Sequence, residues 1–360
     1  MDKIKVLVTG GAGYIGSHTV VELYNAGYQA IIVDNFSNSS IEVLAGIEKI
    51  IGEKPIFEQL DCTDYKSFAT LFEKYPDIRY AIHFTAFKAV GESVEKPLMY
   101  YRNNLVSLLN LIELMNGRGK SSIVFSSSCT VYGQPAPEHL PVSEQAPLQP
   151  AQSPYGKTKQ MSEDILSDSV KAFGGNLDVI ALRYFNPIGA HPSANIGELP
   201  RGVPQNLLPF VAQTAAGIRK ELSVFGNDYN TPDGSCIRDY IYVCDLAKAH
   251  VAAIERLKTI DSLKIKEGSK TGEGIVTQKN KGAFECYNLG TGKGLSVLEV
   301  IDIFKKANSV DVPFKIVARR AGDVEQVWAN PTKANKILNW VADTPLEEVM
   351  KSAWKWQQKL

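Results

Sequence analysis

A chain of 360 residues, 44% of them hydrophobic, with 39 basic and 39 acidic side chains, can bury one broad core or two modest ones and carries no net charge. Neither sign of charge gathers in runs, which argues against nucleic acid and against an anionic membrane as partners. No apolar stretch approaches the roughly 20 residues that cross a bilayer. The opening MDK passes straight into apolar Ile4 to Val8 with no basic leader or signal core, and the five cysteines are scattered without C-x-x-C spacing, so reduced thiols in a reducing cytoplasm are expected. The five histidines are equally dispersed, and no metal site is expected.

From the N-terminus, short β-branched runs alternate with longer segments of helical period. Strands are predicted at KVLVT, AIIVD, PIFEQL, YAIHFT, SIVFSS and DVIALRYF, with helices beginning near Tyr14, Ser40, Asp64, Pro97 and Tyr155. That alternation predicts an α/β fold, a Rossmann-type doubly wound parallel sheet. After Phe185 the texture changes to clustered Pro, Gly and Asn, so residues 1–185 read as a dinucleotide-binding domain and residues 186–360 as a smaller α/β substrate lobe, with the chain crossing back. Residues 258–282 are polar, glycine-rich and weakly periodic, and read as a surface insertion.

VTGGAGYIGSH, Val8 to His18, joins the first strand to the first helix and contains G-x-G-x-x-G at Gly11, Gly13 and Gly16 and G-x-x-G-x-x-G at Gly10, Gly13 and Gly16. Glycine is needed where a side chain would block the tight turn, the approach of N–H groups to a pyrophosphate, or helix-on-strand packing. The second strand ends in Asp34, at the spacing where a carboxylate binds a ribose 2′-hydroxyl and repels a 2′-phosphate, so NAD is expected over NADP. The alternative is a glycine-rich turn that binds nothing.

The strand SIVFSS runs into Ser126, Ser127, Ser128, Cys129 and Thr130, at the carboxyl edge where an open parallel sheet binds its ligand. Ser126 and Ser127 read as ordinary turn hydrogen bonding. SPYGKTKQ then opens a helix with Tyr155 and Lys159 four apart, hence on one face, while Lys157 falls on another. A free phenol ionises only near pH 10, so a catalytic tyrosine needs a cation to stabilise its anion. An exposed tyrosine among solvated lysines is the plain alternative.

Ser128, Tyr155 and Lys159 together resemble the catalytic trio of the extended short-chain dehydrogenase/reductase superfamily. TGGAGYIGSH, HFTAFKAVGESVEKP, FSSSCTVYG, SPYGKTK, RYFNPIGAHPS, FGNDY, RDYIYVCDLA, YNLGTG and ARRAGD resemble, in order, the signatures of the UDP-galactose (UDP-glucose) 4-epimerase family. Two departures are the polar insertion and Thr85-Ala86, where the family has Ala-Gly.

The resemblance implies reversible C4 epimerisation of a UDP-hexose through a 4-keto sugar, with tightly held NAD and a homodimer built by helices of the cofactor domain. It implies that Tyr155 moves the proton of the 4-hydroxyl, that Ser128 holds that oxygen, and that Lys159 binds the nicotinamide ribose and lowers the tyrosine's pKa. For the cofactor it implies Gly10, Gly13, Tyr14, Ile15, Gly16, Asp34, Asn35, Asp61, Cys62, Phe84, Lys88 and Asn103. For the UDP-sugar it implies Lys88, Phe185, Asn186, Asn206, Leu207, Phe225, Arg238, Arg320, Asp323 and Val327, the arginines suiting a diphosphate because guanidinium donates in pairs. Val327 stands where the family has a gatekeeper beside the sugar; a small residue there predicts room for N-acetylated UDP-sugars, against the alternative of plain core packing. The rivals are an NAD-dependent sugar-nucleotide 4,6-dehydratase, whose Asp-Glu pair after the catalytic hydroxyl is replaced here by Cys129-Thr130, and a non-catalytic NAD or UDP-sugar sensor.

Overall fold

The computed structural model describes residues 3–268, 281–320 and 323–360. The chain runs β1 (Lys5–Thr9), α1 (Tyr14–Asn25), β2 (Gln29–Asp34), α2 (Glu42–Ile51), β3 (Ile56–Gln59), α3 (Tyr65–Lys74), β4 (Tyr80–His83), α4 (Val90–Glu95), α5 (Pro97–Asn116), β5 (Ser121–Ser128), α6 (Pro154–Ala172) and β6 (Leu177–Tyr184). It continues through β7 (Asn186–Ile188), α7 (Leu207–Ala215), β8 (Leu222–Phe225), β9 (Ile237–Tyr242), α8 (Val243–Gly268), β10 (Phe284–Leu289), β11 (Gly294–Ser296), α9 (Val297–Asn308), β12 (Phe314–Val317), β13 (Gln326–Val327), α10 (Thr332–Ile337) and α11 (Leu346–Gln357).

Local chemistry sets the helix starts that matter. Asp64 caps α3 by accepting from the N–H groups of Lys66 and Ser67. Ser153 caps α6 through Gly156 N at 3.1 Å, with Pro154 in the first turn where its missing N–H costs nothing. The capping box of Ser296 and Glu299 opens α9. Helix α1 is different: its cap residue is Gly13, which has no side chain to occupy the first N–H groups.

The central sheet has seven strands in the order β10-β6-β5-β4-β1-β2-β3, and every pairing in it is parallel. Its faces are covered by two separate apolar cores. One joins Val6, Val8, Ile32, Val124 and Ile180 to α1 and α8; the other joins Leu7, Ile31, Ile123 and Val179 to α3, α5 and α6. That is the expected doubly wound arrangement, with the strand order reversing between β1 and β4, where the ligand crevice of such sheets opens.

Beyond Phe185 a smaller set of strands forms around β9, which pairs with β7 and β13 in parallel and with β11 antiparallel, while β8 pairs with β12. This part has its own core, including Ile188, Val211, Tyr240, Phe304 and Met350. The chain crosses back through α8, which packs on α1, and β10, which adds the seventh strand beside β6.

The polar stretch from Lys258 is helical as far as Gly268, continuing α8, and Ile260 is buried there at 7% exposure. Residues 269–280 of the expected insertion lie outside the described residues.

Candidate functional site

The cradle is built at the β1–α1 turn. Gly10 has φ +70°, and a Cβ there would sit 2.9 Å from the main-chain nitrogen of Thr85. At Gly13 an added Cβ would meet only Gly10 O, at 3.1 Å, and would otherwise fill the open space over the first turn of α1. Open space, uncapped N–H groups and the positive end of a helix dipole together fit a pyrophosphate. The hydroxyl of Tyr14 donates to Gly189 O at 2.6 Å and pins the second lobe to α1, while its ring centre lies 5.8 Å from the Lys88 ammonium. Ile15 packs into both lobes' cores.

At the end of β2 the Asp34 carboxylate accepts from Ala12 N at 3.1 Å, Phe36 N at 2.9 Å and Ser39 Oγ at 2.7 Å. A carboxylate has about four acceptor positions, so one stays open for a ribose hydroxyl. Asn35 donates to Asp61 at 3.0 Å, and Asp61 also accepts from Thr63, bonds that pull its pKa below the usual carboxylate value against the cost of burial. Cys62 is core: burial pushes its thiol up to about 12, and the Thr85 hydroxyl turns toward its sulfur rather than into the cradle. Phe84 lies 4.7 Å from the His250 ring, Lys88 Nζ bonds Glu198 at 3.1 Å, and Asn103 donates to Asn104 Oδ1 at 3.0 Å. Apart from Asn103, which projects from α5, the expected cofactor residues come from the carboxyl ends of β1, β2, β3 and β4 or the segments just after them.

The expected trio meets where β5 ends against α6. Three consecutive serines each have a partner on the helix. Ser126 O accepts from Lys159 Nζ at 2.6 Å, Ser127 Oγ donates to Glu163 at 2.5 Å, and the Ser128 hydroxyl lies near enough to the Tyr155 phenol to favour its ionised form. Tyr155 and Lys159 share one helix face as predicted, with Glu163 a further four residues along it, while Lys157 is exposed. Burial pushes the Tyr155 phenol up to about 12, the Ser128 hydroxyl pulling down and Cys129 pushing up, and burial drives Lys159 down to about 7, with Glu163 holding it up. Desolvation disfavours both charged forms, so in the protein alone it outweighs any help the lysine gives the tyrosine.

Sequence reasoning missed the support beneath this trio. Glu163 is paired with Arg183 on β6 with both side chains about 95% buried, and Arg183 also donates to Tyr132 Oη at 3.0 Å. Tyr132 donates to Asn288 on β10 at 2.7 Å. The signal for Glu163 lay in its spacing, one further turn along the Tyr155–Lys159 face. Nothing local marked Arg183 or Asn288. Ser127, read as turn chemistry, belongs to this network.

Most of the other residues expected to hold a UDP-sugar lie beyond Phe185. Arg320 makes a bidentate pair with Asp323, at 2.7 and 3.2 Å, and Arg238 on β9 lies 3.7 Å from the same carboxylate. The Arg320 guanidinium stands 5.6 Å from the ring centre of Phe225, which is 41% exposed at the end of β8. Asn206, cap residue of α7, donates to Glu198, and Leu207 follows it. Asn186 pairs with Tyr240 across β7 and β9. Val327 is buried in a cluster with Phe185, Val131 and Tyr132, against which Cys129, the neighbour of Ser128, also packs. Among the described residues no group of three or more His, Cys, Asp or Glu side chains converges to hold a metal.

Residues 7–353 match the family model described as GDP-mannose 4,6 dehydratase. A UDP-glucose 4-epimerase of Dictyostelium discoideum is 47% identical over 98% of this chain and 95% of its own, and that of Homo sapiens is 45% identical over 99% and 97%. The chain belongs to the UDP-glucose 4-epimerase family. A solved structure of a UDP-glucose 4-epimerase from Bifidobacterium longum, in complex with NAD+ and UDP, is similar with a TM-score of 0.88 at 43% identity, covering 99% of this chain and 98% of that one. The similarity runs through both lobes of the chain, since these relatives cover 98–99% of it.

Proposed function

We infer that this chain interconverts UDP-glucose and UDP-galactose by inverting C4 through a 4-keto sugar, as an isomerase that uses NAD without net redox. The observation that carries it is the convergence of Ser128, Tyr155 and Lys159 where the carboxyl edge of the sheet meets α6, in a chain that matches epimerases over nearly its full length. When bound, NAD supplies a nicotinamide ring that takes a hydride from C4 and returns it, and whose positive charge favours the phenolate. Tyr155 accepts and gives back the proton of the 4-hydroxyl, Ser128 orients that oxygen, and Lys159 orients the ribose. Arg238 and Arg320 hold the diphosphate, leaving Asp323 free to turn to sugar or water, so that the 4-keto sugar can turn over while its UDP stays anchored.

Residues 1–185 hold the dinucleotide and 186–360 the sugar nucleotide in this reading. Val327 leaves room for an acetamido group, so N-acetylated UDP-sugars are also substrates. A homodimer is supported by the family resemblance and by Val94, Leu98 and Leu109, which are 61%, 77% and 41% exposed on α4 and α5. The enzyme works in the cytoplasm. Elimination of water across C5 and C6 would need an acid and a base where this chain has Cys129, with its thiol pushed by burial up to about 11, and Thr130.

Purified protein incubated with UDP-galactose and no added NAD should yield UDP-glucose. A 4-keto-6-deoxy product would instead mean a dehydratase, and no product a binding protein.

A further inference from the structure

The stretch leading to Asn206 makes two sets of contacts with the cofactor side that no motif foretold. Glu198 accepts from Lys88 at 3.1 Å and Asn206 at 2.5 Å through one carboxylate oxygen, and its main-chain oxygen accepts from the indole of Trp356 at 2.9 Å, which moors the stretch to α11. Three residues on, Arg201 reaches the loop after β2. Its guanidinium donates to the carbonyls of Phe36 at 2.9 Å, Ser37 at 3.0 Å and Ser39 at 2.5 Å.

That loop shapes Asp34, whose carboxylate takes the Phe36 N–H and the Ser39 hydroxyl. It is also strained: Phe36 has φ +56°, in the left-handed region that a bulky side chain avoids. Carbonyls from three residues that point at one spot repel one another unless a cation sits between them, and Arg201 is that cation. A planar fork suits three acceptors spread around it, which a single ammonium does not.

We infer that Arg201 is a positioning residue for the dinucleotide, which fastens the ribose loop to the sugar-nucleotide lobe and so slows the escape of NAD between turnovers. This rests on the reading of Asp34 as the ribose ligand. For adenosine to leave, the loop around Asp34 must loosen, and the three bonds to Arg201 oppose that motion from the far lobe. Deleting them lets the loop relax its strained residue whether or not NAD is present.

The test compares wild type, Arg201→Lys and Arg201→Ala as full chains. NAD release is timed after dilution into an enzyme trap for free NAD, and hydrogen exchange is followed at the Phe36 and Ser37 amides. Release should be about tenfold faster or more in Arg201→Ala, with Arg201→Lys between, as expected for lost charge-assisted bonds. Exchange at both amides should quicken, and added NAD should restore turnover in Arg201→Ala. Unchanged release in Arg201→Ala overturns the inference whatever the exchange shows. A wild-type protein that retains no NAD overturns the reading of tightly held cofactor, and the inference with it.

Discussion

The ammonium of Lys159 lies 5.9 Å from the centre of the Tyr155 ring and 4.8 Å from that of Phe125, and gives a hydrogen to the Ser126 carbonyl. The two side chains thus share a dry pocket in which neither easily bears a charge alone. Burial raises the phenol and lowers the amine, so each ionised form depends on the opposite charge nearby.

Tyr155→Phe removes the proton-transferring oxygen and little else. Turnover should fall by roughly 10² to 10⁴ while the folded protein still carries NAD. Steady-state rates on UDP-galactose and the NAD content of the purified variant check both halves; near-normal turnover would remove Tyr155 from the reaction.

Glu163 neutralises Arg183 in the interior and holds Ser127 at the same time. Glu163→Gln leaves a buried guanidinium without its anion, at a cost of about 3–5 kcal/mol. Urea unfolding should show that loss, and pairing the change with Arg183→Met should recover much of it. Additive losses in the double variant would mean that the two residues stabilise the fold independently.

Val327 is 6% exposed in the cluster that Cys129 joins, so its bulk acts one residue from Ser128. Wild type should turn over UDP-GalNAc as well as UDP-galactose, and Val327→Tyr should lower kcat/KM for the acetylated sugar far more than for the plain one. Overpacking of this kind typically costs about 1–3 kcal/mol, roughly ten- to a hundredfold in rate. A wild type inactive on UDP-GalNAc would return Val327 to core packing alone.

His18, His83 and His250 are buried with pKa values that burial lowers to about 3, about 3 and about 4. Each Nε2 has no partner among the described residues, so a second proton would be a buried charge without an acceptor. Below about pH 6.5 the unfolded chain binds protons at these sites and the folded chain does not. The stability they contribute is therefore complete above that pH and is lost as pH falls toward 4, by about 1.4 kcal/mol per pH unit per histidine. Denaturant midpoints should drop between about pH 7.5 and about pH 5.5. A His250→Phe variant should show a shallower drop, and identical pH slopes would mean that His250 is not held neutral.

The periodicity of the first 185 residues was enough for the parallel sheet, because strands buried on both faces must be apolar throughout and their crossover helices must follow the helical repeat. Expected strands such as AIIVD and SIVFSS sit within a residue of Gln29–Asp34 and Ser121–Ser128. Spacing likewise put Tyr155 and Lys159 on one helix face, because four residues make about one turn. Tertiary structure alone decided the rest. It paired Glu163 with Arg183 and brought Arg201 onto Phe36 and Ser39, contacts across 20 and about 160 residues that leave no local pattern. Burial, which exists only once the chain has folded, also sets the starting point for Tyr155 and Lys159 in the protein alone: removing water from the pocket opposes every lone charge, whatever its neighbours in sequence.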